Sequence, residues 1–270
     1  MVALTAYGND YLQNGSIPMA FDSLNTTFQF CNKVTFRELR KMRLLSKSKK
    51  TVVANNPTEW FKYLRVNGCK QLSLYRASSK NQAFEKDHKL AGLVGEGGSW
   101  LIETVYDNYS FYLTSGWEVT NQNAADNKIW TVNYSMLHKQ QHISKMQIDE
   151  LLINDEIRRT LTKISDFAKK QNLQRWAEQF DKAKSALDSS SPEENYFHKD
   201  LIPLTNYSLE AKQLLFSAGI AWVFGGMGSW SDVGFDNQED NAIYDRLSER
   251  LYSNINDAII AAINTVNSTK

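Results

Sequence analysis

The side chains that most often act in catalysis are scattered along this sequence and form no recognised catalytic set. Neither cysteine, Cys31 or Cys69, has a histidine at a spacing typical of a thiol nucleophile. Ser229 follows two glycines, but in a different frame from the Gly-x-Ser-x-Gly motif of hydrolases. The sequence therefore nominates no catalytic residue and favours a protein that is not an enzyme. A catalytic site assembled only in three dimensions remains the open alternative.

Two histidines stand at a spacing that suits metal binding. His138 and His142 are four residues apart, which would place both imidazoles on one face of a helix. They follow a predicted strand, however, and no cysteine or carboxylate ligand motif lies beside them. We therefore predict surface histidines, no metal site and no cofactor.

Residues 225–235, which we call the glycine loop, read GGMGSWSDVGF and combine four glycines with large apolar side chains. Glycine allows backbone angles that other residues cannot hold, and it lets a ligand or another backbone approach closely. Aromatic side chains next to such positions need burial or a partner. The loop is thus the segment of the chain with the clearest functional potential.

Three interpretations of the glycine loop are possible. It could be a tight turn between helices, with its aromatic rings in a core and with Ser229 or Asp232 accepting hydrogen bonds from backbone amides. It could instead be a recognition site in which Met227 and Trp230 contact a partner, a use to which both residue types are suited. Nucleotide binding is disfavoured, because no Lys-Ser/Thr pair follows the glycines and a predicted helix, not a strand, precedes them.

The stretch WVFGGMGSWSD, residues 222–232, resembles a block near the C-terminus of a family of uncharacterised bacterial proteins. In that block asparagine is expected where Ser231 stands. Some proteins of this kind are similar to immunity partners of bacterial toxins. The resemblance implies a bacterial, cytoplasmic setting and directs attention to the glycines, Trp230 and Asp232 of this block. Together with the absence of a catalytic set, it favours a non-enzymatic protein-binding module, such as an immunity or accessory protein whose partner would be a toxin. With Met227 added from the recognition interpretation, the candidate partner-binding residues are Gly225, Gly226, Met227, Gly228, Trp230 and Asp232.

A basic cluster supplies the main alternative function. Its seven members lie within a short segment and are relieved only by Glu38: Arg37, Arg40, Lys41, Arg43, Lys47, Lys49 and Lys50. Such a cluster can contact several phosphates of a nucleic acid. Phe36 and Leu39 indicate a helix with one buried face, on which the bases would only be the solvated side. Nucleic-acid binding through residues 37–50 is thus an alternative, though a disfavoured one.

The strongest strand signal lies in residues 89–137, where polar and apolar residues alternate with a period of two. Trp100, Ile102 and Thr104 would share one face of a strand. Glycine, asparagine and aspartate residues separate the segments at roughly hairpin spacing. This pattern predicts an antiparallel meander.

The rest of the first half is less regular. Residues up to about Pro18 are predicted to form an irregular arm, and residues 35–45 a helix. A further helix is predicted after Pro57, capped by Thr58 and stopped by Gly68.

Beyond residue 143 the apolar period changes to that of helices. Leu151, Leu161 and Ile164 belong to one predicted amphipathic stripe. Ser208 is predicted to start another helix, and Asp236 begins a capping-box pattern for a last helix. We therefore predict several packed helices in this half.

These elements together predict an α+β fold. An antiparallel meander of about five strands in residues 1–143 would pack against a helical half, residues 144–270. Both halves present apolar faces too large to stay exposed, so we expect one shared core rather than two independent domains.

Composition limits the setting of the protein. The chain has 270 residues, of which 42% are hydrophobic, and its formal net charge of +1 offers no long-range attraction to nucleic acid or to anionic membranes. Two cysteines are too few for a disulfide framework, and neither a signal peptide nor a membrane-spanning run is recognisable. We expect a cytoplasmic protein without membrane association. Its oligomeric state is not indicated.

Overall fold

A computed structural model describes residues 1–41, 48–77, 99–137 and 149–265. The chain divides into two compact units. The sheet unit comprises Met1–Tyr75, Trp100–Lys145 and Asp200–Asn206, and the helical unit comprises Arg76–Ser99, Met146–Lys199 and Tyr207–Lys270. The predicted α+β class is confirmed. That the two halves share one core stays a prediction.

The sheet of the described residues has six strands in the order β2-β1-β6-β5-β4-β3, not the five of the predicted meander. The predicted purely antiparallel arrangement is also wrong, because β1 and β6 pair in parallel. The pairs β1–β2, β4–β5 and β5–β6 are antiparallel. The strands are β1 (Cys31–Lys41), β2 (Ser48–Ala54), β3 (Gln71–Ala77), β4 (Ser99–Val105), β5 (Ser110–Val119) and β6 (Trp130–Met136).

The N-terminal segment is a helix, α1 (Val2–Asn14), and not the predicted irregular arm. Gly8 allows a close approach, because a Cβ at this position would lie 2.4 Å from Cδ1 of Leu72. Asn9 is buried, and its side-chain amide both donates to the carbonyl of Leu72 (2.9 Å) and accepts from its N–H (2.7 Å). Two residues that look like helix breakers are thus required by the contact with β3.

The predicted helix at residues 35–45 is also wrong, since β1 occupies most of this segment. The pairing of β1 with β2 shifts register between Phe36 and Arg37, so the regular period of two that identifies a strand in a sequence is interrupted there. On β1, Thr35 donates a hydrogen bond to the side-chain carbonyl of Asn133 on β6 (2.6 Å).

The core of the sheet unit lies between the sheet and α3 (Pro57–Val66). The side chain of Asn56, rather than the predicted Thr58, caps α3, and Gly68 follows it with a φ of 78° as expected. Trp60 of α3 is fully buried and stacks on Phe36, with ring centroids 4.3 Å apart. The helix thus closes one face of the sheet with aromatic rings. A short helix, α2 (Phe21–Leu24), precedes β1.

Within the described residues, four long helices form the helical unit. They are α4 (Glu150–Lys170), α5 (Gln174–Ala186), α6 (Leu209–Ile220) and α7 (Gln238–Thr265). α4 packs on α5 and α7, and α6 packs on the same two helices. In the described parts of the chain, no helix combines the length and the apolar character needed to cross a membrane.

The sequence predicts the helix caps and the buried helix faces only in part. Ser208 caps α6 as predicted, since its hydroxyl accepts from the N–H of Ala211 (3.1 Å). At the start of α7 the cap is Asn237, which accepts from the N–H of Asp240 (2.7 Å), and not the predicted Asp236. Leu151, placed in the buried stripe of α4 by its spacing, is 80% exposed.

Candidate functional site

The glycine loop leaves the end of α6 and leads into α7, and a single β-turn forms its tip. The N–H of Trp230 donates to the carbonyl of Val223 (3.0 Å), which closes the base of the loop. The N–H of Ser229 donates to the carbonyl of Gly226 (3.2 Å), so Met227 and Gly228 are the two central residues of the turn. Gly228 has a φ of 78°, the conformation that a type II turn requires at its third position. The turn therefore fixes Met227 at its tip.

Trp230 anchors the loop in the core of the helical unit. Its side chain is fully buried, and the rings of Trp176 and Phe180 meet it edge-on at 5.6 and 5.1 Å. The indole N–H donates to the hydroxyl of Ser248 on α7 (2.7 Å). The hydroxyl of Tyr244 donates to the carbonyl of Trp230 (2.6 Å), and burial raises the pKa of Tyr244 to about 12. Trp230 thus has one fixed orientation.

Short polar side chains fix the rest of the loop. The carboxylate of Asp232 accepts a hydrogen bond from the N–H of Gly228 (2.5 Å). The hydroxyl of Ser229 accepts from the N–H of Ser231 (3.2 Å) and donates to the carbonyl of Gly225 (3.3 Å). The prediction that Ser229 or Asp232 accepts hydrogen bonds from backbone amides is confirmed for both.

A cavity of about 430 Å³ lies between the glycine loop and α5. On one side α5 contributes Arg175, Trp176 and Gln179, and residues 222–224 and 226–229 form the other side. Its volume falls in the range of about 300–1,000 Å³ that is usual for ligand sites. The lining combines aromatic rings and glycine backbone with the polar side chains of Arg175, Gln179 and Ser229, so it can contact both apolar and polar groups of a guest.

The aromatic walls of the cavity are held by the core behind them. Trp176 packs on Trp230, and Trp222 lies 5.8 Å from the ring of Tyr252 on α7. Phe224 meets the same tyrosine edge-on at 5.1 Å. Trp176 and Trp222 are each half-buried, so part of each ring packs inward and part stays accessible.

The six candidate partner-binding residues divide into two groups. Gly226, Met227, Gly228 and Asp232 are exposed, and Gly225 is half-buried. Met227 is as accessible as in an extended chain, at 103%. Trp230 is fully enclosed, so it cannot contact a partner as the recognition interpretation required. The loop is therefore an anchored turn at Trp230 and an open surface at Met227.

The described members of the basic cluster lie on strands rather than on a helix. Arg37 is half-buried on β1, which also includes Arg40 and Lys41. Lys49 and Lys50 belong to β2, whereas Arg43 and Lys47 lie outside the described residues. Nucleic-acid binding through residues 37–50 stays a prediction.

The thiols are poorly suited to nucleophilic chemistry. Burial raises the pKa of Cys69 to about 12 and also raises the pKa of Cys31. Neither thiol lines the cavity, and no histidine or carboxylate of the described chain does so. His138 and His142 lie outside the described residues. Among the residues that the structure does describe, no group of three or more potential ligands could hold a metal ion.

The sequence patterns did not single out the α5 side of the cavity. Trp176 fits the apolar stripe of its helix, and Arg175 next to it is one of many exposed charges. The sequence does contain one signal for this side of the cavity, namely a cation next to a large aromatic residue. In the structure the Arg175 guanidinium lies 5.2 Å from the Trp176 ring centroid. What brings α5 to the loop is the packing of Trp230, which no local pattern reveals.

Comparison of the chain with protein-family models, with curated proteins and with solved structures finds no match. A function for this protein must therefore be inferred from the geometry of the cavity and of the glycine loop.

Proposed function

We propose that this protein is a non-enzymatic binding module that recognises another protein through the glycine loop and the adjoining cavity. The observation that carries the proposal is the position of Met227. This large apolar side chain is fully exposed at the tip of a turn that three hydrogen bonds fix, next to an aromatic-lined cavity. Exposure of this side chain to water does not stabilise the fold, whereas exposed apolar groups beside a pocket are typical of interaction sites.

A rigid turn also favours binding energetically. Association costs free energy wherever a loop must be ordered, and a preformed loop avoids much of that cost. Gly228 and Asp232 order the turn before any partner arrives. Because methionine is flexible and polarizable, it can adapt to the partner surface. Residues 222–232 resemble a block of uncharacterised bacterial proteins, some of which are similar to immunity partners of toxins, so a bacterial toxin is the first partner to test.

Photo-crosslinking from the tip of the turn tests the proposal. Met227 would be replaced by the photoreactive residue p-benzoylphenylalanine, and the protein would be irradiated inside the host from which the gene comes. Met19, which is 94% exposed in the sheet unit, provides a matched control position. We expect a discrete covalent adduct from position 227 that excess unlabelled protein suppresses, and no such adduct from position 19.

The captured protein would then be purified and titrated by calorimetry. Met227→Ala is expected to weaken its binding at least about tenfold, as a hot-spot truncation does, while Met19→Ala leaves it unchanged. The absence of a specific adduct at position 227, or equal adducts at both positions, would refute the proposal.

A further inference from the structure

The wall of the cavity contains a side-chain position that is empty without a structural reason. Gly228 needs its positive φ, but Gly226 has no such backbone conformation. A Cβ built on Gly226 meets no heavy atom within 4 Å, so packing does not exclude a side chain there either. Gly226 lines the cavity. The missing side chain therefore leaves this part of the cavity wall open.

The charge of the cavity lining also restricts which groups can bind there. Arg175 is the one charged side chain among the lining residues that the structure describes. It forms no ion pair within the described parts of the chain, and its guanidinium is positioned near the ring of Trp176. A cation beside an aromatic wall is complementary to an anionic group attached to a flat or apolar body.

We propose that the cavity takes an aromatic side chain of the partner protein and that Arg175 pairs with a carboxylate adjacent to it in the partner sequence. This inference rests on the proposed function and names the chemistry of the bound segment. The aromatic ring packs between Trp176 and Trp222 and passes over the bare backbone of Gly226. Met227 then covers the neighbouring main chain of the partner.

An acidic peptide fits this site better than a nucleotide does. A phosphate monoester carries up to two charges and usually gathers several cationic or amide donors. Here the described lining holds a single guanidinium, and the Gly228 amide of the loop already donates to Asp232. One carboxylate matches one guanidinium. The exposed apolar Met227 also favours a protein surface over a phosphate backbone.

Blocked tetrapeptides of defined sequence test this inference on the full chain. The first probe is acetyl-Gly-Phe-Glu-Gly-amide, and the matched probes replace Phe with Ala or Glu with Gln. Binding is read from the indole N–H signals in ¹H–¹⁵N NMR spectra, assigned with single Trp→Phe variants. We expect saturable shifts for Trp176 and Trp222, and none for Trp60, which is buried in the sheet unit.

The matched probes and variants test the aromatic contact and the charge pair separately. The Ala peptide should bind at least about tenfold more weakly, as expected when an aromatic anchor is lost. The Gln peptide should lose about two- to fivefold, the range of an exposed ion pair. Arg175→Gln should cause the same loss for the Glu peptide and remove the difference between Glu and Gln peptides. Arg246→Gln, at an exposed position on α7, is the matched control.

Gly226 provides the steric test. Gly226→Leu should place an apolar side chain in the cavity wall that blocks the peptide and abolishes the shifts, and Gly226→Ala should weaken binding without altering the Trp60 signal. Gly234→Leu is the control, because a Cβ at Gly234 also meets no atom within 4 Å and this residue does not line the cavity.

Each remaining outcome overturns the proposal. These outcomes are no shift of Trp176 and Trp222 with millimolar Phe-Glu peptide, equal affinity for the Glu and Gln peptides, and unchanged binding in Gly226→Leu. Shifts caused by uridine monophosphate but not by the peptides would assign the cavity to a nucleotide instead. If position 227 still captures a specific protein in any of these cases, the binding function stands and only the occupant of the cavity is wrong.

Discussion

Two tryptophans, one in each unit, are completely enclosed, yet their surroundings differ. Trp60 stacks almost parallel on Phe36, at an interplanar angle of 5°, and its indole nitrogen finds no acceptor among the described residues. Trp230 meets Trp176 and Phe180 edge-on, at 75° and 87°, and its indole nitrogen donates to Ser248. Parallel stacking fills a core. Edge-on contacts with a hydrogen bond instead fix one orientation, and Trp176, which makes one of these contacts, also lines the cavity.

The largest effect that tests this comparison comes from replacing each tryptophan with phenylalanine. Both changes remove similar volume, but only Trp230→Phe leaves a buried hydroxyl, that of Ser248, without its indole donor. Trp60→Phe instead removes a buried N–H for which the described residues offer no acceptor. We therefore expect Trp230→Phe to lower the free energy of unfolding by about 1–3 kcal/mol more than Trp60→Phe, measured by urea denaturation.

A double variant identifies the cause of that difference. Ser248→Ala combined with Trp230→Phe should recover part of the loss, because the hydroxyl that has lost its indole donor is then absent. If Trp60→Phe lowered the free energy of unfolding as much as Trp230→Phe, the hydrogen bond of Trp230 would not contribute to stability.

A smaller effect is expected from two glycines of the loop that Trp230 anchors. Gly228→Ala places a Cβ on a residue with a φ of 78°, which should lower the free energy of unfolding by about 1–2 kcal/mol. Gly226→Ala should change it by less than about 0.5 kcal/mol, because the new methyl group meets no neighbour. Urea denaturation of both variants provides the measurement. Equal losses would show that the tip of the loop is not a rigid turn.

The smallest effect should come from a charge pair on the surface of the helical unit. Asp188 accepts two hydrogen bonds from the guanidinium of Arg158, at 2.8 and 2.9 Å, and this contact holds the pKa of Asp188 below its ordinary value. A lowered carboxyl pKa stabilises the fold above the pKa of the unfolded chain, about 4, and the benefit disappears as the pH falls through the folded-state value.

Because the Asp188 side chain is 68% exposed, solvent weakens this pair. Asp188→Asn should therefore lower the free energy of unfolding by less than about 1 kcal/mol at pH 7, with a smaller difference from the parent protein near pH 3. Denaturation at the two pH values checks both parts. A loss at pH 7 as large as that of Trp230→Phe would mean that surface charge, and not the enclosed aromatic cluster, dominates the unit.

The sequence predicts those parts of the fold that local periodicity determines. The stripe of Leu251, Ile255 and Ile263 predicts the long helix α7, and the cap at Ser208 predicts the start of α6. It does not predict the parallel pairing of β1 with β6, because that contact joins residues about a hundred positions apart, such as Thr35 and Asn133. No local pattern encodes such a pairing.

The candidate site was predictable to a similar extent. Glycines and aromatic residues mark the loop, and the acceptor roles of Ser229 and Asp232 follow from their short polar side chains. Whether Trp230 points inward or outward depends on Ser248 and Trp176, which lie on two other helices. The burial of this tryptophan, and with it the cavity, therefore appears only in three dimensions.

The contact between Asn9 and Leu72 has a consequence for the behaviour of the protein at high concentration. Among the described strands, β3 lies at one end of the sheet, and strands in such a position offer backbone groups to which another chain can add. The Asn9 amide satisfies both the N–H and the carbonyl of Leu72, as a neighbouring strand would. One side chain from α1 thus occupies part of an edge at which copies of the protein could otherwise join into aggregates.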